Sequence, residues 1–262
     1  MSKIYTTIIV ADSRGRGLDD FIGNHPTPED HQYVLQIKPG KSLSQLCPLI
    51  IHSVDSYDKD YTYCIVFAGI CGMTDKTTDK TVSRKANILR YQETYWQDKI
   101  NINIDTAKFL KKSYGDHINF CTVIPADLVA YFCHHNPDLP IPDYLASEQK
   151  ALEEDINIIN KAFLDINSPA ITNINLSRRA QVRSKKKRQR SGSKIVYRRV
   201  TKFSYKELID GVHFSPKLQA TVFGLILDTS IRDTINTLRT LDDRSSISDL
   251  SSTSDTNWVQ EL

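Results

Sequence analysis

Long apolar runs are missing from this chain: none of its 262 residues belongs to a stretch approaching the roughly 18 needed to cross a bilayer. No secretion leader is expected either. A β-branched run, Ile4–Val10, begins almost at once, and no cleavage-site pattern follows it. The five cysteines include no Cys-x-x-Cys pair, which excludes the commonest zinc and redox spacings. Cys47, Cys64, Cys121 and Cys133 sit in or beside apolar runs, so they are expected as reduced, buried thiols of an intracellular protein, cytoplasmic or nuclear. No Gly-x-Ser-x-Gly elbow occurs, which disfavours the α/β-hydrolase fold. Gly15 and Gly17 lack the spacing of a dinucleotide-binding loop, and nothing else resembles a phosphate cradle. Internal repeats are absent.

What remains is ordinary in bulk and uneven in detail. Hydrophobic residues make up 40% and charged residues 25%, the balance of a globular domain long enough to bury a core without disulfides or metals. The net charge of +3 says little, but the cations crowd around position 185. Apolar runs alternate with helix-like segments. Ile4–Val10, Tyr33–Ile37, Tyr61–Ala68, Ile118–Ile124 and Ala170–Leu176 read as strands, and the near-continuous third run suits a fully buried parallel strand. Ser42 to Val54 carries apolar residues at helical spacing behind a capping serine, and Glu148–Leu164 is amphipathic. Residues 86–113 read as helix with a break near Asn101–Asn103, and Pro216–Leu238 as a final helix with proline near its start. This β-α-β-α order predicts a three-layer α/β/α, flavodoxin-like domain over residues 1–239 with a central parallel sheet. In such sheets ligands bind at the carboxyl ends of the strands, which places the loops after Val10, Ile37 and Ala68 at one rim.

Two features at that rim carry chemistry. Ser13 follows the first strand in Val10-Ala11-Asp12-Ser13-Arg14-Gly15, so it stands at a helix start where developing negative charge is favoured. A simple capping role is the alternative for such a serine. Asp210 and His213, just before the last helix, have the types and spacing for a carboxylate to orient an imidazole that takes a proton from a serine. A polar loop capped by Ser215 is the plainer alternative.

Taken in order, these blocks resemble the SGNH, or GDSL-type, hydrolase superfamily. Asp12-Ser13-x-Gly15 matches the first block, Gly40 the second, Gly69 the third, and Asp210-x-x-His213 the last, over about residues 4–230. The resemblance implies a hydrolytic triad of Ser13 (nucleophile), His213 (general base) and Asp210 (orienting partner). It also implies an oxyanion hole built from the backbone N–H groups of Ser13 and Gly40, together with an asparagine of the third block. That asparagine is absent. Gly69-Ile70-Cys71-Gly72 stands where the family has Gly-x-Asn-Asp, and a thiol is a weak donor. Thr74, Thr77 and Asn87 are candidate substitutes. The expected reaction is hydrolysis of an acyl or acetyl ester with no metal or organic cofactor. Cys133-His134-His135 lacks a matching second pair, so no metal site is expected.

The segment Arg178–Arg199 is read as a mobile basic surface insertion. Arg183, Lys185, Lys186, Lys187, Arg188 and Arg190 suit a phosphate backbone or a nuclear import receptor, and Tyr197, Phe203 and Tyr205 lie close enough in sequence to stack on bases. In architecture this resembles SGNH-like domains encoded by some animal mobile elements. The rival function is therefore a catalytically inactive module that binds nucleic acid or protein through this segment. The tail from Thr240 to Leu262, rich in Ser, Asp and Thr, is expected to be disordered.

Overall fold

The structure is a computed structural model that describes residues 4–79, 86–91, 96–167, 173–183, 187–191, 194–198 and 201–232. Its centre is a four-stranded parallel sheet built from β1 (Tyr5–Ala11), β2 (His31–Ile37), β3 (Thr62–Phe67) and β6 (Ile118–Phe120), in the order β2-β1-β3-β6. Parallel neighbours need crossovers, and the chain supplies them as α1 (Leu18–Gly23), α2 (Leu43–Asp55) and α3 (Trp96–Tyr114). The first crossover carries the chain to one side of β1 and the second to the other. The switch point of this flavodoxin-like order therefore lies at the carboxyl ends of β1 and β3.

Strand alternation builds two cores. Ile8 and Val10 of β1 face one layer with Cys64, Val66 and Phe120, against Leu46 and Ile50 of α2, Leu110 of α3 and Ile156 and Phe163 of α5 (Tyr144–Ile166). Ile9 and Ala11 face the other layer with Tyr63, Ile65 and Phe67, against Leu18 of α1 and Val222, Phe223 and Ile226 of α6, the helix over residues 216–232. Because β1 and β3 are covered on both faces, they are apolar at nearly every position.

The predicted elements differ from those observed in four places, and residues 233–238 of the expected final helix lie outside the described residues. Residues 86–90 form a strand, β5 (Ala86–Arg90), antiparallel to β4 (Asp75–Asp79), where helix was expected. The following helix runs unbroken through residues 101–103, and Asn103 donates to the Lys99 carbonyl oxygen at 2.9 Å within it. The fourth parallel strand stops at Phe120. The Cys121 N–H still donates to the Val66 carbonyl oxygen at 2.9 Å, while side chains hold the remaining backbone groups: the Asn167 amide bonds both the N–H and the C=O of Phe120 at 2.9 Å, and Asn160 does the same for Val123 at 2.6 and 2.8 Å. The last expected strand falls partly outside the described residues. Residues 173–175 are irregular and Leu176–Ala180 is a 3₁₀ turn, although Thr122 still donates its N–H to the Ile174 carbonyl oxygen at 3.1 Å.

In the basic segment and just after it the described residues include four strands. β7 (Gln181–Arg183) pairs with β10 (Thr201–Phe203), and β8 (Lys187–Ser191) pairs with β9 (Lys194–Arg198), both antiparallel. Arg183 thus belongs to β7, and Lys187, Arg188 and Arg190 to β8. Lys185 and Lys186 lie outside the described residues, as does the tail from Thr240. Phe203 and Tyr205, expected as base-stacking rings, instead pack against the second core. The Tyr205 hydroxyl donates to Glu153 at 2.6 Å and accepts from Gln149 at 2.9 Å.

All five cysteines are free. Cys64 and Cys121 are buried as expected, whereas Cys133 is exposed near the end of α4 (Leu128–His135). Among the described residues no helix is long and apolar enough to cross a membrane.

Candidate active site

The first strand ends where Asp12 turns the chain. Its carboxylate accepts the Arg14 N–H at 3.0 Å and caps a 3₁₀ turn, Ser13–Gly15. Gly15 is required by space, since a Cβ there would come within 2.4 Å of the Ala11 Cβ. Asp12 itself is buried. Burial pushes its carboxyl above the ordinary value, against the opposing pull of the Arg14 guanidinium and of the Arg14 and Gly69 N–H groups. The turn leaves Ser13 half-buried at the carboxyl end of β1, with its Oγ 3.9 Å from the Cys71 Sγ.

Asp210 and His213 sit on the loop before α6. The His213 ring Nδ1 lies 2.7 Å from Asp210 Oδ2. Oδ1 of the same carboxylate accepts the backbone N–H groups of Val212 at 3.0 Å and His213 at 2.7 Å. Burial alone would push the Asp210 carboxyl up. The hydrogen bonds from the His213 backbone and ring and from the Val212 backbone outweigh it and hold the group at about 2. Asp210 is therefore an acceptor only, which makes Nδ1 the protonated ring nitrogen and leaves Nε2 with a free lone pair whenever the ring is neutral. The loop's shape depends on Gly211, whose φ is 78° and whose missing Cβ would stand 2.3 Å from the Asp127 carbonyl oxygen.

These parts meet in a cavity of about 470 Å³ at the switch point. Its lining includes Ser13 and Arg16 after β1, Pro39 and Gly40 after β2, Ile70, Cys71 and Thr74 after β3, and Val212 and His213. The three loops expected at one rim are thus together, and they are joined by the loop carrying Asp210 and His213. Of the candidate substitutes for the missing asparagine, Thr74 lines the cavity, whereas Thr77 and Asn87 do not. The Asn87 N–H and C=O are instead held by Asn136 at 3.0 and 2.8 Å. Burial, and then the nearby Asp12 charge, push the Cys71 thiol above its ordinary value, so it stays a neutral S–H at physiological pH. Cys133, His134 and His135 close the last turn of α4, where His135 Nδ1 meets the Tyr131 carbonyl oxygen at 2.9 Å.

One residue of the site gave no sequence signal. Arg14, next to the serine, is 4% exposed, and its guanidinium donates to the carbonyl oxygens of Val212, Ile124 and Pro125. A lone arginine in a short loop reads as a solvated cation.

No family model matches this chain, and no curated protein does. Among solved structures, the chain is similar to the lipase/acylhydrolase from Enterococcus faecalis, at 11% identity and a TM-score of 0.47, covering 87% of this chain and 96% of that one. It is similar to the acetyl xylan esterase AlAXEase, at 13% identity and a TM-score of 0.49 over 85% and 98% of the two chains. It is also similar to a variant of the acetyl xylan esterase Axe2 from Geobacillus stearothermophilus, at 9% identity and a TM-score of 0.46 over 89% and 97%. Similarity at this level assigns no role to any residue here, and the chemistry rests on the chain's own side chains.

Proposed function

We propose that the chain is a serine-dependent carboxylic ester hydrolase of the SGNH type. The observation that carries this reading is the ionised Asp210 bonded to His213 Nδ1 at 2.7 Å, with His213 and Ser13 lining one cavity. Ser13 Oγ attacks the ester carbonyl carbon while His213 Nε2 takes the hydroxyl proton. Asp210 orients the ring and stabilises the imidazolium. His213 then gives that proton to the departing alcohol, leaving an acyl-enzyme. Water attacks the acyl carbonyl as His213 takes its proton, and the acid leaves as Ser13 regains a hydrogen. The N–H groups of Ser13 and Gly40 and the Cys71 thiol are the donors nearest to the developing oxyanion in this reading. The steps require side chains and water only. Labelling with a fluorophosphonate probe tests it: wild type is expected to label and Ser13→Ala is not. A folded wild type that stays unlabelled refutes the reading.

A second reading concerns partners, and it is favoured by the register of β8 and β9. The register sets Lys187 opposite Arg198, so one hairpin carries cationic residues on both of its strands. We propose that the basic segment, through Arg183, Lys185, Lys186, Lys187, Arg188 and Arg190, binds the phosphate backbone of a nucleic acid, within an intracellular compartment. Its measure is the salt dependence of oligonucleotide binding.

A further inference from the structure

Arg14 stands out among the buried polar groups for how many separate segments it joins. Its Nε donates to the Val212 carbonyl oxygen at 3.0 Å, Nη2 donates to that of Pro125 at 3.3 Å, and Nη1 donates to that of Ile124. The guanidinium carbon lies 5.2 Å above the centre of the Phe214 ring. One planar side chain thus ties the turn that carries Ser13 to both residues flanking His213 and to the chain beyond β6. The peptide whose oxygen Nε grips is the Val212–His213 peptide, and its N–H is held at 2.7 Å by Asp210. The general base is therefore fixed from both sides: by Asp210 through its N–H and ring, and by Arg14 through the carbonyl one residue earlier. The counter-charge is local too, since Asp12, 1% exposed, accepts the Arg14 N–H.

We infer that Arg14 is a positioning residue that sets the span between the Ser13 hydroxyl and the His213 ring, acting through the Val212 carbonyl and the Phe214 ring. This rests on the hydrolase reading above. Arg14 does not line the Ser13 cavity, so it touches no substrate there. Its three donors sit on three different nitrogens, spread across one plane beside the Phe214 ring. Lysine keeps the charge, but its three N–H groups radiate from a single nitrogen and cannot reproduce that spread. Displacing a reacting group by about 1 Å costs on the order of 100-fold in rate, whereas substrate binding is untouched.

The test uses the full chain and p-nitrophenyl acetate. In Arg14→Lys, kcat is expected to fall on the order of 100-fold with KM within about twofold of wild type. Phe214→Leu, which removes the ring but no hydrogen bond, is expected to show the same split in smaller measure. A folded Arg14→Lys variant with wild-type kcat, or with a lowered melting temperature and unchanged kinetics, overturns the inference. Hydrogen exchange separates its failure from that of the hydrolase reading. Faster exchange of the Val212 and His213 amides in Arg14→Lys, with β1 and β3 still protected, supports the tether even if wild type proves inert towards esters and probe. Unchanged exchange at those amides overturns it.

Discussion

At the scale of single residues, Asp210 holds the His213 ring, and His213 shares one cavity with Ser13 and a thiol, Cys71. Cys71 occupies the cavity wall beside Ser13 Oγ, where an amide would donate far better than a thiol. Cys71→Asn is accordingly expected to raise kcat, by up to about 100-fold if the missing donor is what limits turnover, in a steady-state assay against wild type. Asp210 sets the acid limit. Its folded value of about 2 lies below the ordinary 3.8, so its stabilising contribution is fully present above about pH 4 and is lost as pH falls through about 2. Melting temperatures measured between about pH 4 and pH 2 should fall more steeply for wild type than for Asp210→Asn. The same substitution should cut turnover about 10⁴-fold at neutral pH. That Ser13 and His213 share one rim, with Asp210 beside the histidine, was legible in the sequence because serine, histidine and carboxylate are chemically marked residue types at the end of a strand and before a helix. Arg14 was not, because its role comes from carbonyl groups at Ile124, Pro125 and Val212, more than a hundred residues further along the chain.

Among the elements, local pattern fared best where the environment was uniform. β1 and β3, covered on both faces, carry the buried apolar runs Ile8–Ala11 and Tyr63–Phe67, and α2 announced itself through Ser42, whose Oγ accepts the Gln45 N–H at 3.3 Å in a capping box. Residues 86–90 misled because their strand exists only through its pairing with β4, a partner that no local periodicity reveals. The short β6 misled in a similar way. Its apolar run continues to Ile124, but the last backbone bond to β3 is that of Cys121, and an asparagine amide of α5 holds Val123 instead. The loop bearing His213 offers the sharpest test at this scale. Gly211→Ala must accept both a left-handed backbone and a Cβ 2.3 Å from the Asp127 carbonyl oxygen and 2.5 Å from the Tyr131 nitrogen. Loss of at least about 1–3 kcal/mol is expected in chemical denaturation, together with reduced turnover, because α4 and the His213 loop must separate.

Across the whole molecule, two apolar layers meet a sheet whose carboxyl edge gathers the chemistry, while the cations collect on paired strands elsewhere in the chain. If the ribbon holds phosphates, affinity for a single-stranded oligonucleotide should fall steeply between 50 and 200 mM salt, with a log–log slope of roughly −0.7 per phosphate contacted. Neutralising residues 183–190 should flatten that slope and leave fluorophosphonate labelling intact, so the two proposed functions can be separated in one preparation. A slope unchanged by neutralisation would place the binding elsewhere. The cation cluster was plain in the sequence. Its arrangement as strands was not, because Lys and Arg carry little strand preference and the pairing depends on register.

The asparagine grips along β6 bear on how the protein tolerates crowding by its own copies. An uncovered strand offers a row of amides and carbonyls on which a strand from another molecule can grow, the first step toward fibres. Here the Phe120 pair is already bound by Asn167 and the Thr122 N–H by Ile174, so a visiting strand finds those positions taken. A single carboxamide at position 167 thus works as a stopper on the sheet, shielding an apolar segment that would otherwise invite its like.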